Sequence, residues 1–133
     1  MPVAIERKPE LDLTIFRATG DVPFSEQMDV LKAFYDGSPT TNVIWDFTEA
    51  DEVDLSNDEL RTIVQYTKSH AARRKRGHTA LVVNTQLKYG LSRMASAFAD
   101  IEETPWSMET FEEFEAAMAW ISRTRQAPDD GGS

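Results

Sequence analysis

Hydrophobic positions alternate singly near the start of the chain, then recur at helical spacing, and that switch repeats to the end. Leu11, Leu13 and Ile15 alternate with Asp12 and Thr14, as on a half-buried strand. That strand is predicted over Leu11–Thr19, joined to an earlier one over Val3–Arg7 by the short loop Lys8-Pro9-Glu10, and Gly20 is expected to break it. Phe24, Met28, Leu31 and Tyr35 fall on one helical face, and Asp36-Gly37-Ser38-Pro39 stops that helix. Val43–Phe47 predicts a third strand. Leu60, Ile63, Val64, Thr67 and Ala71 predict a second helix closed by Gly77. A short apolar strand over Thr79–Val83 follows, then a third helix with Leu87, Leu91, Met94, Ala95 and Phe98 as its stripe. Trp106–Met108 reads as a last strand. Thr110-x-x-Glu113 resembles a capping box for a final helix carrying Phe111, Phe114, Met118 and Ile121.

The resulting order, β-β-α-β-α-β-α-β-α, predicts an α/β fold with a mostly parallel five-stranded sheet and an antiparallel first strand. The 133 residues suit one domain, expected over 1–125, with 126–133 (QAPDDGGS) as a disordered polar tail. With 14 basic and 23 acidic residues the formal charge is −9, which opposes attraction to nucleic acid and anionic membranes. There is no cysteine, so disulfides and thiolate metal sites are excluded. No apolar run approaches the roughly 18 residues of a membrane span, and the N-terminus lacks a signal pattern, so a cytoplasmic location is expected.

The segment Asn42–Glu59 (NVIWDFTEADEVDLSNDE) is the most informative part of the chain. An apolar strand ends in Asp46-Phe47-Thr48, passes into a loop crowded with carboxylates, and leads to a Ser56-x-x-Glu59 helix start. Ligands and regulatory contacts of open α/β domains gather at such strand–loop–helix corners. Ser56 has the spacing of an N-cap, with Glu59 reaching back. Asp46 is expected to hydrogen-bond loop N–H groups; as a general base it would lack the His or Cys that hydrolytic chemistry uses. Glu49, Asp51, Glu52 and Asp54 lack the ligand spacing and central glycine of a calcium loop, so neither metal nor cofactor is predicted. Arg73, Arg74, Lys75 and Arg76 form a basic patch at the end of the second helix, where cations complement the helix dipole or offer a docking point for an acidic group. His70 and His78 are placed away from the carboxyl edge of the sheet.

Three further patterns occur in order: Val43-Ile44-Trp45-Asp46 on a central strand, Tyr89-Gly90-Leu91-Ser92-Arg93-Met94 opening a helix, and Ala117-Met118-Ala119-Trp120-Ile121 near the C-terminus. With the element order, they make residues 3–122 resemble the SpoIIAA-like branch of the STAS superfamily, the anti-sigma-factor-antagonist fold, which is grouped with CRAL-TRIO-type lipid-binding folds. The resemblance implies a (βα) superhelix and a regulatory or binding domain without catalytic chemistry of its own. It also implies a phosphorylatable serine after the central strand, in a pattern like Asp-Ser-Ser-Gly. Asp54 and Ser56 match that pattern in Asp54-Leu55-Ser56-Asn57, while Leu55 and Asn57 depart from it.

The expectation is therefore a non-enzymatic regulatory module that docks a protein partner through Asp46, Thr48, Asp54, Leu55, Ser56 and Asn57, with Ser56 as cap or phosphosite. The alternative is a small-ligand or lipid-binding module with a pocket near Asn84, Tyr89 and Arg93 at the carboxyl edge of the sheet. A homodimer through an incompletely covered sheet face is compatible with either reading.

Overall fold

The computed structural model describes residues 3–52, 55–70, 77–84, 90, 93, 95, 97 and 107–126. Five strands, β1 (Val3–Lys8), β2 (Leu13–Asp21), β3 (Asn42–Glu52), β4 (His78–Val82) and β5 (Ser107–Phe111), lie side by side in chain order. β1 runs antiparallel to β2, and every later pairing is parallel. Helices α1 (Phe24–Asp36), α2 (Asn57–Ser69) and α3 (Phe114–Gln126) join or follow them, and Gly90, Arg93, Ala95 and Ala97 are helical between β4 and β5. No helix among the described residues is long and apolar enough to cross a membrane.

Strand alternation divides the core between the two sheet faces. On one, Phe16, Ala18, Val43, Trp45 and Leu81 pack with Val30, Leu31, Phe34 and Tyr35 of α1, and Ile63 and Ala95 add to the cluster. Phe16 is its centre, edge-on to Phe34 at 5.4 Å and stacked on Trp45 at 4.4 Å. Such ring pairs add about 0.5–1.5 kcal/mol beyond area burial. On the other face Leu13, Ile15, Ile44, Ala80 and Val82 pack against Ala117 and Ile121 of α3.

Polar side chains pin the amino edge of the sheet. Asn42 is buried; its Nδ2 donates to the Leu11 carbonyl (3.3 Å), and its Oδ1 accepts the His78 N–H (3.2 Å). Gly77 lies against the residue before Asn42: a Cβ there would sit 1.6 Å from the Thr41 carbonyl oxygen. Only glycine lets those two backbones approach so closely.

Several boundaries depart from expectation for local reasons. Pro9–Leu11 is a 3-10 turn and Asp12 adopts φ 51°, so β2 begins at Leu13. Gly20 does not end β2; at φ 67° it lies within the strand beside a register shift, and pairing continues to Asp21. β3 runs on to Glu52 instead of stopping at Phe47, so most of the expected acidic loop is strand paired with the end of β2. α2 ends at Ser69 with His70 as its cap, well before Gly77. Thr110 and Phe111 belong to β5, paired with Leu81 and Val82, and α3 starts only at Phe114, beyond the Phe111 start that the capping-box spacing predicts. Ladder pairing with β4 overrides the local capping signal there.

Candidate functional site

β3 leaves the regular ladder at its carboxyl half. Arg17 pairs with Asp46 and Thr19 with Glu49, so Ala18 alone on β2 faces Phe47 and Thr48 on β3. Such a bulge removes ladder partners and bends the strand. Side chains bond the bulged segment at Thr48. Asp46 Oδ1 accepts from the Thr48 N–H (3.0 Å) and the Thr48 hydroxyl (2.7 Å), while Asn84 Nδ2 donates to the Thr48 carbonyl (2.9 Å). The sequence reading of Asp46 as acceptor for neighbouring N–H groups matches this geometry.

The second oxygen of Asp46 faces Arg17, with Nη1 to Oδ2 at 3.5 Å, and the Asp46 side chain is only 9% exposed. Arg17 also reaches Glu6 on β1 (3.4 Å), and its guanidinium lies 4.5 Å from the ring centroid of Phe114, the first residue of α3. Glu6 has a further partner in Lys8 at 3.1 Å. The Lys8 hydrogen bond and charge, with Arg17 behind them, hold the Glu6 carboxyl below its ordinary 4.5. The sequence reading did not single out Arg17 or Glu6, and it placed Phe114 only on the apolar stripe of the last helix. The signal was present in the β2 alternation, where Arg17 continues the inward row of Leu13 and Ile15, and a cation there calls for an acidic neighbour.

On the other face, α2 starts with a full capping box. Ser56 Oγ accepts from the Glu59 N–H (3.1 Å), and Glu59 Oε1 accepts from the Ser56 N–H (3.0 Å). Ser56 and Asn57 are exposed, whereas Leu55 is half-buried and packs on the Phe16–Trp45 cluster. Leu55 is thus an anchor for the corner and not an exposed apolar patch. Glu49, Asp51 and Asp58 are exposed around it, which gives the rim a negative character.

Asp46 and Thr48 are bonded to each other, and Leu55, Ser56 and Asn57 open α2; Asp54 lies outside the described residues. Asn84 meets Thr48, which ties one member of the alternative pocket to the β3 bulge. Arg93 is exposed on helical backbone, and a Cβ at Gly90 would meet nothing within 4 Å. Tyr89 and the basic run Arg73, Arg74, Lys75 and Arg76 fall outside the described residues. His70 stacks on Tyr66 at 4.3 Å, and His78 packs edge-on to Trp120 at 5.2 Å. Among the described residues no three His, Asp or Glu side chains are grouped to hold a metal ion.

No protein-family model and no curated protein matches the sequence. Solved structures do. An uncharacterised DUF3478-family protein with a SpoIIAA-like fold from Shewanella loihica PV-4 is 21% identical, with a TM-score of 0.57 over 90% of this chain and 91% of that one. The anti-sigma factor antagonist SpoIIAA, in its unphosphorylated form, is 14% identical, with a TM-score of 0.58 over 94% of this chain and 99% of that one. The described strands, in chain order with the first antiparallel and with α3 packed on one face of the sheet, thus make up a SpoIIAA-like fold.

Proposed function

We propose that this chain is a regulatory module without catalytic chemistry of its own, acting in the cytoplasm by docking a protein partner. The docking surface is the corner where β3 ends and α2 begins, with Asp46 and Thr48 shaping its base and Leu55, Ser56 and Asn57 forming its rim. The likeness to an anti-sigma factor antagonist over nearly the full length of both chains carries this reading. The corner's chemistry supports it: an exposed polar rim on a half-buried Leu55 anchor, surrounded by exposed carboxylates, suits a partner surface rich in Lys and Arg. Asp54 is assigned to the same rim by its place in the sequence.

Ser56 serves as N-cap and is at the same time the candidate phosphosite. Its exposed position at a helix N-terminus favours added negative charge, while Asp58 and Glu59 beside it oppose that charge. A small-ligand pocket near Asn84, Tyr89 and Arg93 gains less support, because Asn84 already spends a donor on Thr48.

The test is affinity capture from the native host with the intact protein, read by mass spectrometry. Asn57→Arg with Asp58→Arg places two cations on the negative rim, and Ile5→Lys on the exposed edge of β1 is the control. A partner set retained by the control and lost by the rim variant is the expected result. Equal recovery by all three proteins rules the corner out as the docking surface. Incubation with any kinase among the captured partners, followed by phosphosite mapping, then decides the Ser56 switch.

A further inference from the structure

We propose that Arg17 is a positioning residue that couples α3, on one face of the sheet, to the shape of the β3 bulge that leads to the docking corner. Its functional meaning rests on the docking reading above; its physical content does not. Across the bulge at Phe47–Thr48 the β2–β3 register shifts, and the side chains of Asp46 and Asn84 both bond Thr48 there. Asp46 is the critical one, since a single carboxylate oxygen takes both the N–H and the hydroxyl of Thr48.

The orientation of that carboxylate is set from the opposite side. Its other oxygen faces Arg17 Nη1, and the guanidinium is held in turn by the Glu6 carboxylate and by the Phe114 ring. A planar cation between two carboxylates and a ring face has few alternative placements. Phe114 is the first residue of α3, so any shift of that helix's start moves the ring under Arg17, then the Asp46 carboxylate, and then Thr48. The chain of contacts is continuous, and each link is a pair within bonding or stacking distance. Coupling of this kind needs physically touching groups, and it acts in both directions. Binding at the α3 side therefore changes the corner, and a partner at the corner changes α3.

Arg17 is 42% exposed at its side chain, which limits the strength of its link to Asp46. The effect is read without any partner, by amide hydrogen exchange of the intact protein followed by NMR. Arg17→Met keeps the aliphatic stem and removes the charge, and Phe114→Leu keeps an apolar helix start and removes the ring. Each is expected to speed Thr48 amide exchange about two- to fivefold, with the Val82 amide in β4 unchanged. Asp46→Asn preserves an acceptor for Thr48 and should match Arg17→Met. Asp46→Ala removes the acceptor and should speed exchange about tenfold or more. If Arg17→Met and Phe114→Leu leave Thr48 at the wild-type rate, or change Thr48 and Val82 in parallel, the coupling does not exist. If Thr48 responds as expected while the rim variant loses no partner, the coupling stands and the docking reading falls.

Discussion

Ser56 offers the sharpest separation of a structural role from a signalling one, because two substitutions there move stability differently. Ser56→Ala deletes the oxygen that accepts the Glu59 N–H at 3.1 Å but leaves the reciprocal bond from the Ser56 N–H to Glu59. Losing an N-cap costs about 0.5–2 kcal/mol, and at this exposed site water takes over part of the lost bond, so the cost should be about 1 kcal/mol. Ser56→Asp restores an acceptor of equal rank and adds a charge that the helix dipole favours by roughly 0.3–1 kcal/mol. Asp58 and Glu59 in the same turn offset that gain, so the aspartate variant should stay within about 0.5 kcal/mol of wild type. Urea unfolding followed by tryptophan fluorescence resolves the two. With a slope near 2 kcal/mol per molar, Ser56→Ala lowers the midpoint by about 0.5 M, whereas Ser56→Asp moves it by less than about 0.25 M. Added salt should destabilise neither variant relative to wild type by more than a few tenths of a kcal/mol. A wild-type midpoint for Ser56→Ala, or a loss of more than about 1.5 kcal/mol for Ser56→Asp, refutes the capping account. When both hold, a change in partner capture by Ser56→Asp reports on recognition and not on damage to α2.

Two other substitutions test distant parts of the fold. Gly77→Ala places a methyl 1.6 Å from the Thr41 carbonyl oxygen and 2.5 Å from its carbon, so backbone must move. A loss of about 3 kcal/mol or more is expected in urea unfolding, and a loss under 1 kcal/mol would show that the crossing yields easily. Glu6→Gln tests the acid limb of stability. Because the Glu6 carboxyl is held below 4.5 in the folded state by Lys8 and Arg17, its contribution is present above that value and disappears as pH falls through the lower folded pKa. Wild-type and Glu6→Gln unfolding midpoints should therefore differ near neutrality and converge as the pH falls progressively below 4.5; a constant offset throughout contradicts that sign.

The elements whose geometry is set locally were legible in the sequence. The Leu13–Ile15 alternation, the α1 stripe of Met28, Leu31 and Tyr35, and the Ser56–Glu59 capping box all express periodicities or bonds spanning a few residues. Element order followed from them, and with it the sheet. What stayed hidden depends on residues far apart in the chain. The extension of β3 to Glu52 needs the end of β2 as a partner, and a run of carboxylates looks like loop until that partner is known. Thr110 has capping-box spacing, yet its pairing with Leu81 keeps it in a strand. The tie among Arg17, Asp46 and Phe114 joins positions 29 to 97 residues apart, beyond the reach of any local pattern. Gly77 reads as a helix stop, whereas its necessity comes from the Thr41 carbonyl beside it.

The match between strand order and chain order also governs how this protein emerges during synthesis. Each strand is laid beside the one made just before it, so the sheet can grow from its antiparallel end without waiting for a distant partner. The helices made between the strands can cover the Phe16–Trp45 side as it forms. The opposite side, with Leu13, Ile15, Ile44, Ala80 and Val82, has its apolar cover in α3, and α3 is the final element of the fold. A nascent chain that has finished β5 therefore carries a nearly complete sheet whose Leu13–Ile15 side still lacks Ala117 and Ile121. Among the described elements, α3 is thus the late one whose arrival completes the core on that side.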